Sequence, residues 1–226
     1  MDLFPLFNSI RIALISTIAV FFLGILSAHY ISRANKVVKG FLDVILTLPL
    51  VLPPTVVGYL IIRVLGPNHP VGIFFQDLFG IKLVMVWWSA IFATVIVSFP
   101  LMYRTTRGAF DAFDETLAYS GQTLGLSDAF IFWRIRMPYC RQGILAGTVL
   151  AFARALGEFG ATIMVAGYIP GNTATIATTV YHFWRINNDE MALRWVLINI
   201  AISAVALLAI NIFEKRNLTI RANKAG

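Results

Sequence analysis

Charge is what this sequence has least of. Asp, Glu, Lys and Arg make up 13% of its 226 residues and hydrophobic residues 58%, with a mean hydropathy of +0.78. A water-facing domain carries about 25% charged residues, so a soluble globular protein is excluded and a bilayer is expected. Cysteine and histidine are scarce too. Cys140, His29, His69 and His182 offer neither a disulfide framework nor clustered metal ligands, so no metal site and no catalytic site is expected. A basic run interleaved with aromatics is also missing. The net charge of +7 is therefore read as contact with anionic membrane lipid and not as nucleic-acid binding. The N-terminus lacks the short apolar core and small-residue cleavage site of a secretory signal, and is expected to remain as a span. With no internal repeat, low-complexity stretch or long linker, a single membrane domain, 1–226, is expected.

What is present is a set of long apolar runs. A bilayer core takes about 20 apolar residues in a helix, because every backbone N–H and C=O must be satisfied within the segment. The runs without charge, Ile12 to Ser32, Val44 to Ile62, Leu83 to Tyr103 and Trp195 to Phe213, place spans at about 12–32, 43–63, 83–103 and 194–213. A fifth, 142–167, contains Arg154 and Glu158, four apart and expected to neutralise each other on one helix face. Five spans put the termini on opposite sides. Twelve cations, Arg33, Lys36, Lys39, Arg104, Arg107, Arg134, Arg136, Arg141, Lys215, Arg216, Arg221 and Lys224, fall on one side. Five, Arg11, Arg63, Lys82, Arg185 and Arg194, fall on the other. The positive-inside rule then makes the N-terminus external and the C-terminus cytoplasmic.

The second span carries Pro49, Pro53 and Pro54, so it must kink or unwind. Broken backbone at membrane depth is tolerated where protein or a water-filled cavity covers it, which makes this segment a candidate pathway wall, with a packing kink as the alternative. Between the last two spans, Thr175 to Trp184 reads as a short helix too short to cross. Tyr181, Phe183 and Trp184 suit the headgroup level there, whether as a partner surface or as a plain anchor.

The loop 111–138 is long for a connection and is expected to fold or to meet a partner. Glu115 to Leu124 reads as a helix with its acid at the start. Gly125 suits the left-handed position that ends it, and Ser127 suits the cap of a second short helix, Asp128 to about Ile135, with Leu126, Phe130 and Trp133 on one face. Pro138 fits the first turn of the next span. The result is a compact helical knob able to transmit motion; an amphipathic helix lying on the inner leaflet is the competing picture.

This loop resembles the signature of binding-protein-dependent importer permeases, a Glu-Ala-Ala triplet followed by Gly, nine residues, Ile, any residue and Leu-Pro. Gly125, Ile135 and Pro138 stand at its spacings, Met137 replaces the Leu, and Tyr119, Ser120 and Gly121 stand in place of the triplet. Four further words resemble the molybdate branch in order and spacing: Leu48 to Tyr59 (LPLVLPPTVVGY), Val97 to Tyr103 (VSFPLMY), Phe152 to Val165 (FARALGEFGATIMV) and Ile169 to Thr173 (IPGNT).

The resemblance implies an all-α integral membrane protein of about five transmembrane helices with a cytoplasmic coupling-helix loop, the type I ABC importer permease fold. It implies two copies of the chain as a homodimer in the bacterial cytoplasmic (inner) membrane, two ABC ATPase subunits and an extracytoplasmic oxyanion-binding protein. The substrate implied is molybdate or tungstate, with a sulfate or thiosulfate importer as the alternative. Coupling to the ATPase falls to Glu115, Ala118, Tyr119, Gly121, Gly125, Leu126, Ser127, Ile135 and Pro138. A translocation pathway is expected along Pro53, Pro54, Thr55, Gly58, Ser98 and Glu158. The chain has no Gly-rich loop ending in Lys-Ser or Lys-Thr to hold nucleotide, so ATP and Mg are expected only in the partner ATPase, and no cofactor on this chain. An intramembrane enzyme would need buried catalytic groups beyond Arg154 and Glu158, and an ATP-independent channel or carrier would need no partner loop. Few cations lie in the spans, so the route is not expected to hold a dianion tightly, and discrimination is left mainly to the binding protein.

Overall fold

The computed structural model describes residues 2–225, with side chains followed as far as Leu208. Its helices are α1 (Phe4–Ser32), α2 (Lys36–Val51), α3 (Pro54–Leu65), α4 (Pro70–Phe79), α5 (Ser89–Asp111), α6 (Glu115–Thr123), α7 (Asp128–Ile131), α8 (Met137–Leu156), α9 (Gly160–Val165), α10 (Ile176–Arg185) and α11 (Asp189–Ala225), with a π-helical turn, Phe132–Arg136, between α7 and α8. No strand occurs among the described residues. Four of the helices, α1, α3, α4 and α8, open on a proline in their first turn, where the missing N–H has no helical partner to lose.

Helix α5 is the hub, flanked by α1 and α8. Small residues let the three close up: a Cβ on Gly24 would lie 2.6 Å from Met102 Cγ, and one on Gly147 would lie 3.0 Å from Met102 Sδ. That is the way helices associate where lipid provides no hydrophobic drive. One end of the bundle is tied by Asn8 donating to the Ala174 carbonyl and the Ile176 N–H donating to Ser9 Oγ, and by the Met85 N–H on the Val165 carbonyl. The other end carries the α1–α2 turn, tied to α5 by Lys39 and Asp111 at 3.1 Å, together with α6 and α7.

Among the described residues α1 and Asp189–Leu208 of α11 are long and apolar enough alone to cross a membrane, and α2 with α3 qualify as a bent pair. Several expected bounds shift. Helix α1 starts at Phe4 rather than 12, because Arg11, which ends the charge-free run, lies 3.7 Å over the Trp87 ring and donates to Asn8. The second segment breaks into α2 and α3, bent by 113°. Leu52 and Pro53 are extended, since each precedes a proline and is pushed out of the helical region. Residues 83–88 precede α5 as turns and irregular backbone; Met85 has φ 58 and pairs with the end of α9. Apolar content alone does not signal such backbone.

The segment 142–167 is also discontinuous: α8 ends at Leu156 and α9 begins at Gly160. Arg154 and Glu158 therefore do not share a helix face, because Glu158 lies past the end of α8. The short helix expected from Asp128 to Ile135 is one α-turn and then a π turn running into α8. Pro138 explains it, because its ring and its missing N–H disfavour a tight turn just before it. The backbone of α11 covers 194–213, but the side chains of Lys215, Arg216, Arg221 and Lys224 lie outside the described residues.

Helices α3 and α9 pack at the limit of contact. A Cβ on Gly58 would sit 2.7 Å from Met164 Cβ and 3.0 Å from the backbone of Ala161. Gly58→Leu is expected to destabilise the folded subunit by about 1–3 kcal/mol through overpacking, lowering its unfolding midpoint in detergent. Gly40→Ala, where nothing lies within 4 Å, should leave the midpoint unchanged or slightly raised.

Candidate functional site

Two places carry functional geometry, and the knob is the first. Helix α6 is capped by Asp114, whose carboxylate accepts from the Thr116 N–H and hydroxyl; these bonds hold its pKa below the usual carboxylate value. The helix ends in a left-handed glycine closure. Gly125 has φ 76, its N–H bonds the Gln122 carbonyl, and the Leu126 N–H reaches back to Gly121, the paired bonds of a Schellman ending. Ser127 then caps α7 through the Phe130 N–H.

Apolar packing fixes the hairpin from inside. Ala118 is buried, and Leu126 and Ile135 pack against a core that includes Phe110, Phe113, Ile131 and Phe132. Gly121 leaves room for Ile131, whose Cγ1 would be 3.1 Å from a Cβ there. Pro138 sits in the first turn of α8. The expected face of Leu126, Phe130 and Trp133 does not form. Ile131 and Phe132 are buried instead, while Phe130 and Trp133 stay exposed; Leu126 precedes the Ser127 cap and packs on the core from outside the helix.

Two features of the knob escaped the sequence reading, Leu124 and the partner of Glu115. Leu124, at the tip, is 79% exposed, beside the already expected Tyr119 at 64%. Such exposure marks an interaction site. At the base, Arg136 Nη2 lies 2.5 and 2.6 Å from the two carboxylate oxygens of Glu115 and its guanidinium lies over the Phe113 ring at 4.7 Å. Beside them α2 is tied to α5 by Asp43, which accepts from Arg107 and from the Tyr103 hydroxyl. An Asp at the start of an apolar run signals such a network, although its partners lie far away in sequence.

The second place is where the two broken segments meet. A Cβ on Gly160 would lie 2.9 Å from Pro54 Cβ and 3.2 Å from the Thr55 nitrogen, so the α2–α3 and α8–α9 breaks abut. Pro53 and Thr55 are exposed, Pro54 is half-buried and Gly58 is buried. Glu158 is 4% exposed; its Oε1 accepts the Ala161 N–H at 2.8 Å and its Oε2 lies 2.6 Å from Arg154 Nη1. One carboxylate thus secures the start of α9 and neutralises the last turn of α8. Ser98 is fully buried and its hydroxyl returns to the Thr94 carbonyl of its own helix, so it does not join this group.

The described residues thus form a helical subunit with segments long and apolar enough to cross a membrane, two abutting broken helices, and a knob that exposes Leu124 and Tyr119. The chain belongs to the family of binding-protein-dependent transport system inner membrane components, which it matches over residues 20–218. It is 41% identical over 198 residues to the molybdenum transport system permease protein ModB of Escherichia coli (strain K12), covering 86% of each chain. To the ModB of Haemophilus influenzae it is 36% identical over 209 residues, covering 92% of this chain and 91% of that one. The fold is shared with a bacterial ABC transporter involved in import of the acidic polysaccharide alginate, at TM-score 0.79 and 19% identity over 95% of this chain and 79% of that one. It is shared also with the MetNI methionine ABC transporter in inward-facing conformations, at TM-score 0.72 and 12% identity over 94% of each.

Two substitutions probe these places. Gly125 has open space around it, so Gly125→Val is expected to cost about 1–2 kcal/mol from backbone conformation alone, and Gly125→Asn much less, as read from unfolding midpoints. Glu158→Ala removes a bond to α9 and strands Arg154, for a loss of roughly 2–4 kcal/mol. Adding Arg154→Ala should recover part of it, and a double variant no more stable than the single would show that the two side chains are not coupled.

Proposed function

We propose that this chain is the permease subunit of an ATP-driven importer that moves molybdate, or the similar tungstate, across the bacterial inner membrane by alternating access. The observation that carries this reading is the 36–41% identity to molybdenum transport permeases over most of both chains, joined to a knob with an exposed apolar tip. On this reading five passes, α1, α2–α3, α5, α8–α9 and α11, make one membrane domain with its N-terminus outside and its C-terminus cytoplasmic. The knob end, rich in Arg and Lys, faces the cytoplasm as the positive-inside rule requires.

Two copies form the transport unit, as a homodimer whose broken helices face the shared route. Pro53, Pro54, Thr55, Gly58 and Glu158 belong to the wall of that route, and Ser98 supports the wall from within α5. Coupling to two ABC ATPase subunits falls to Glu115, Ala118, Tyr119, Gly121, Gly125, Leu126, Ser127, Ile135 and Pro138: the exposed Tyr119, joined by Leu124, offers the docking contact, Ala118, Gly121, Leu126 and Ile135 hold the knob's shape from inside, and Glu115 is engaged at the base by Arg136. ATP and Mg belong to those subunits. An extracytoplasmic oxyanion-binding protein delivers the substrate at the opposite end; one solved neighbour, the alginate transporter, is in complex with its periplasmic protein.

The test is reconstituted uptake in proteoliposomes containing the permease with its ATPase, and the binding protein outside. Molybdate uptake should require ATP and binding protein, and tungstate should compete while sulfate competes poorly. Uptake without the ATPase would overturn the importer in favour of a channel or carrier, and sulfate as the preferred substrate would move the chain to a sulfate importer. Leu124→Asp puts a charge on the apolar tip and is expected to weaken ATPase association by at least about 2 kcal/mol, seen as loss of co-purification with the folded permease still in the membrane.

A further inference from the structure

From Asp128 to Leu156 the backbone stays helical, through α7, the π turn and α8, with Phe132 at φ −59, ψ −54 and Met137 at φ −59, ψ −48. This rod is about 40 Å long. It begins in the knob and ends at the break held by Glu158. A displacement of the knob can reach the break only if the rod does not yield on the way. Its weakest point is the π turn, where the Met137 N–H reaches back five residues to Phe132 and Pro138 contributes no N–H, so the hydrogen-bond ladder there is wide and incomplete.

Arg136 stands in that turn. It is 6% exposed. Its guanidinium is held by both oxygens of Glu115, the first residue of α6, and by the ring of Phe113 in the bend between α5 and α6. Both oxygens are held by the one nitrogen Nη2, which sets the distance, and the Phe113 ring beneath the guanidinium at 4.7 Å sets its plane. Farther along α6, Gln122 Nε2 donates to Asp128 Oδ1 at the start of the rod, and Gly121 packs against Ile131 and Ile135. Attachments at different heights resist tilting where one would act as a pivot.

We propose that Arg136 is a positioning residue for energy coupling: clamped by Glu115 and Phe113, it stiffens the π turn so that motion imposed on the knob moves α8 as one body. This rests on the importer reading above and adds to it a residue outside the docking surface. If the brace is removed, the knob still binds the ATPase, but its motion is partly absorbed by the turn, so ATP is spent with less transport.

The experiment measures molybdate uptake and ATP hydrolysis together in the assembled importer in proteoliposomes, with binding protein present. Arg136→Gln should retain ATPase co-purification and keep stimulated hydrolysis within about twofold, while uptake per ATP falls about tenfold. Glu115→Gln should act in the same direction. The exchange Glu115→Arg with Arg136→Glu should recover part of the loss, which a change of charge at the docking surface would not. Should Arg136→Gln reduce the yield of folded permease, Glu115→Gln decides, because Glu115 is half exposed and its amide is nearly isosteric. A normally assembled Glu115→Gln importer with unchanged uptake per ATP would overturn the brace while leaving the importer reading intact. A wild-type permease that binds no ATPase would overturn both.

Discussion

A chain segment that stops hydrogen-bonding to itself inside a bilayer has to find partners in protein, and here two segments stop at the same place. The breaks at Leu52–Pro53 and at Gly157–Phe159 abut through Gly160 and Pro54, so protein rather than lipid lies against part of each. Glu158 adds a bond to the Ala161 N–H. Gly58 then allows α3 to lie on α9 at a distance no larger residue permits. The half-helices beyond the breaks are thereby a packed pair, and α5 supports them through Val97 and Ala93. The remaining helices form the frame around this meeting point.

The same arrangement explains why the two ends of the molecule differ. At the end with the α10 loop the ties are hydrogen bonds from side chain to backbone, such as Asn8 to Ala174 and Ser9 to Ile176, which fix loops without adding charge. At the knob end the ties are ionic: Lys39 with Asp111, Asp43 with Arg107, and Glu115 with Arg136. Ion pairs near water lose little when they are remade in a second arrangement. Helix α2, which has no buried residue, is held to the bundle by the Lys39 and Asp43 pairs and by Leu42 and Leu46 packed against the core.

What the sequence made legible was what depends on neighbours in the chain. The left-handed Gly125, the Ser127 cap and the helix from Thr175 follow from local preferences, and the structure has all three. The prolines announced a break in the second segment, and consecutive extended residues account for the size of the bend. The break in the fourth segment was missed because hydropathy scores side chains: Gly157 and Gly160 leave an apolar run looking whole while giving up helix propensity at two points close together. Arg136 with Glu115, 21 residues apart, and Asp43 with Arg107 were missed because tertiary ion pairs leave no periodic trace. The start of α1 was misplaced for a related reason, since an arginine reads as the end of a span unless the aromatic ring that covers it is known.

The ion pair at the break bears on how a dianion could pass. On the importer reading, a bare arginine at this depth would bind a doubly charged oxyanion strongly, because attraction between opposite charges grows as water is excluded. Strong binding in the route would retard release and leave less to be gained by alternation. Glu158 lies 2.6 Å from Arg154 and reduces that attraction, while Arg154 keeps about a quarter of its side chain exposed. On that reading the pair would contact a passing oxyanion without trapping it. On the same reading high affinity is better placed in a separate binding protein, and a route of few charges fits such a division of labour.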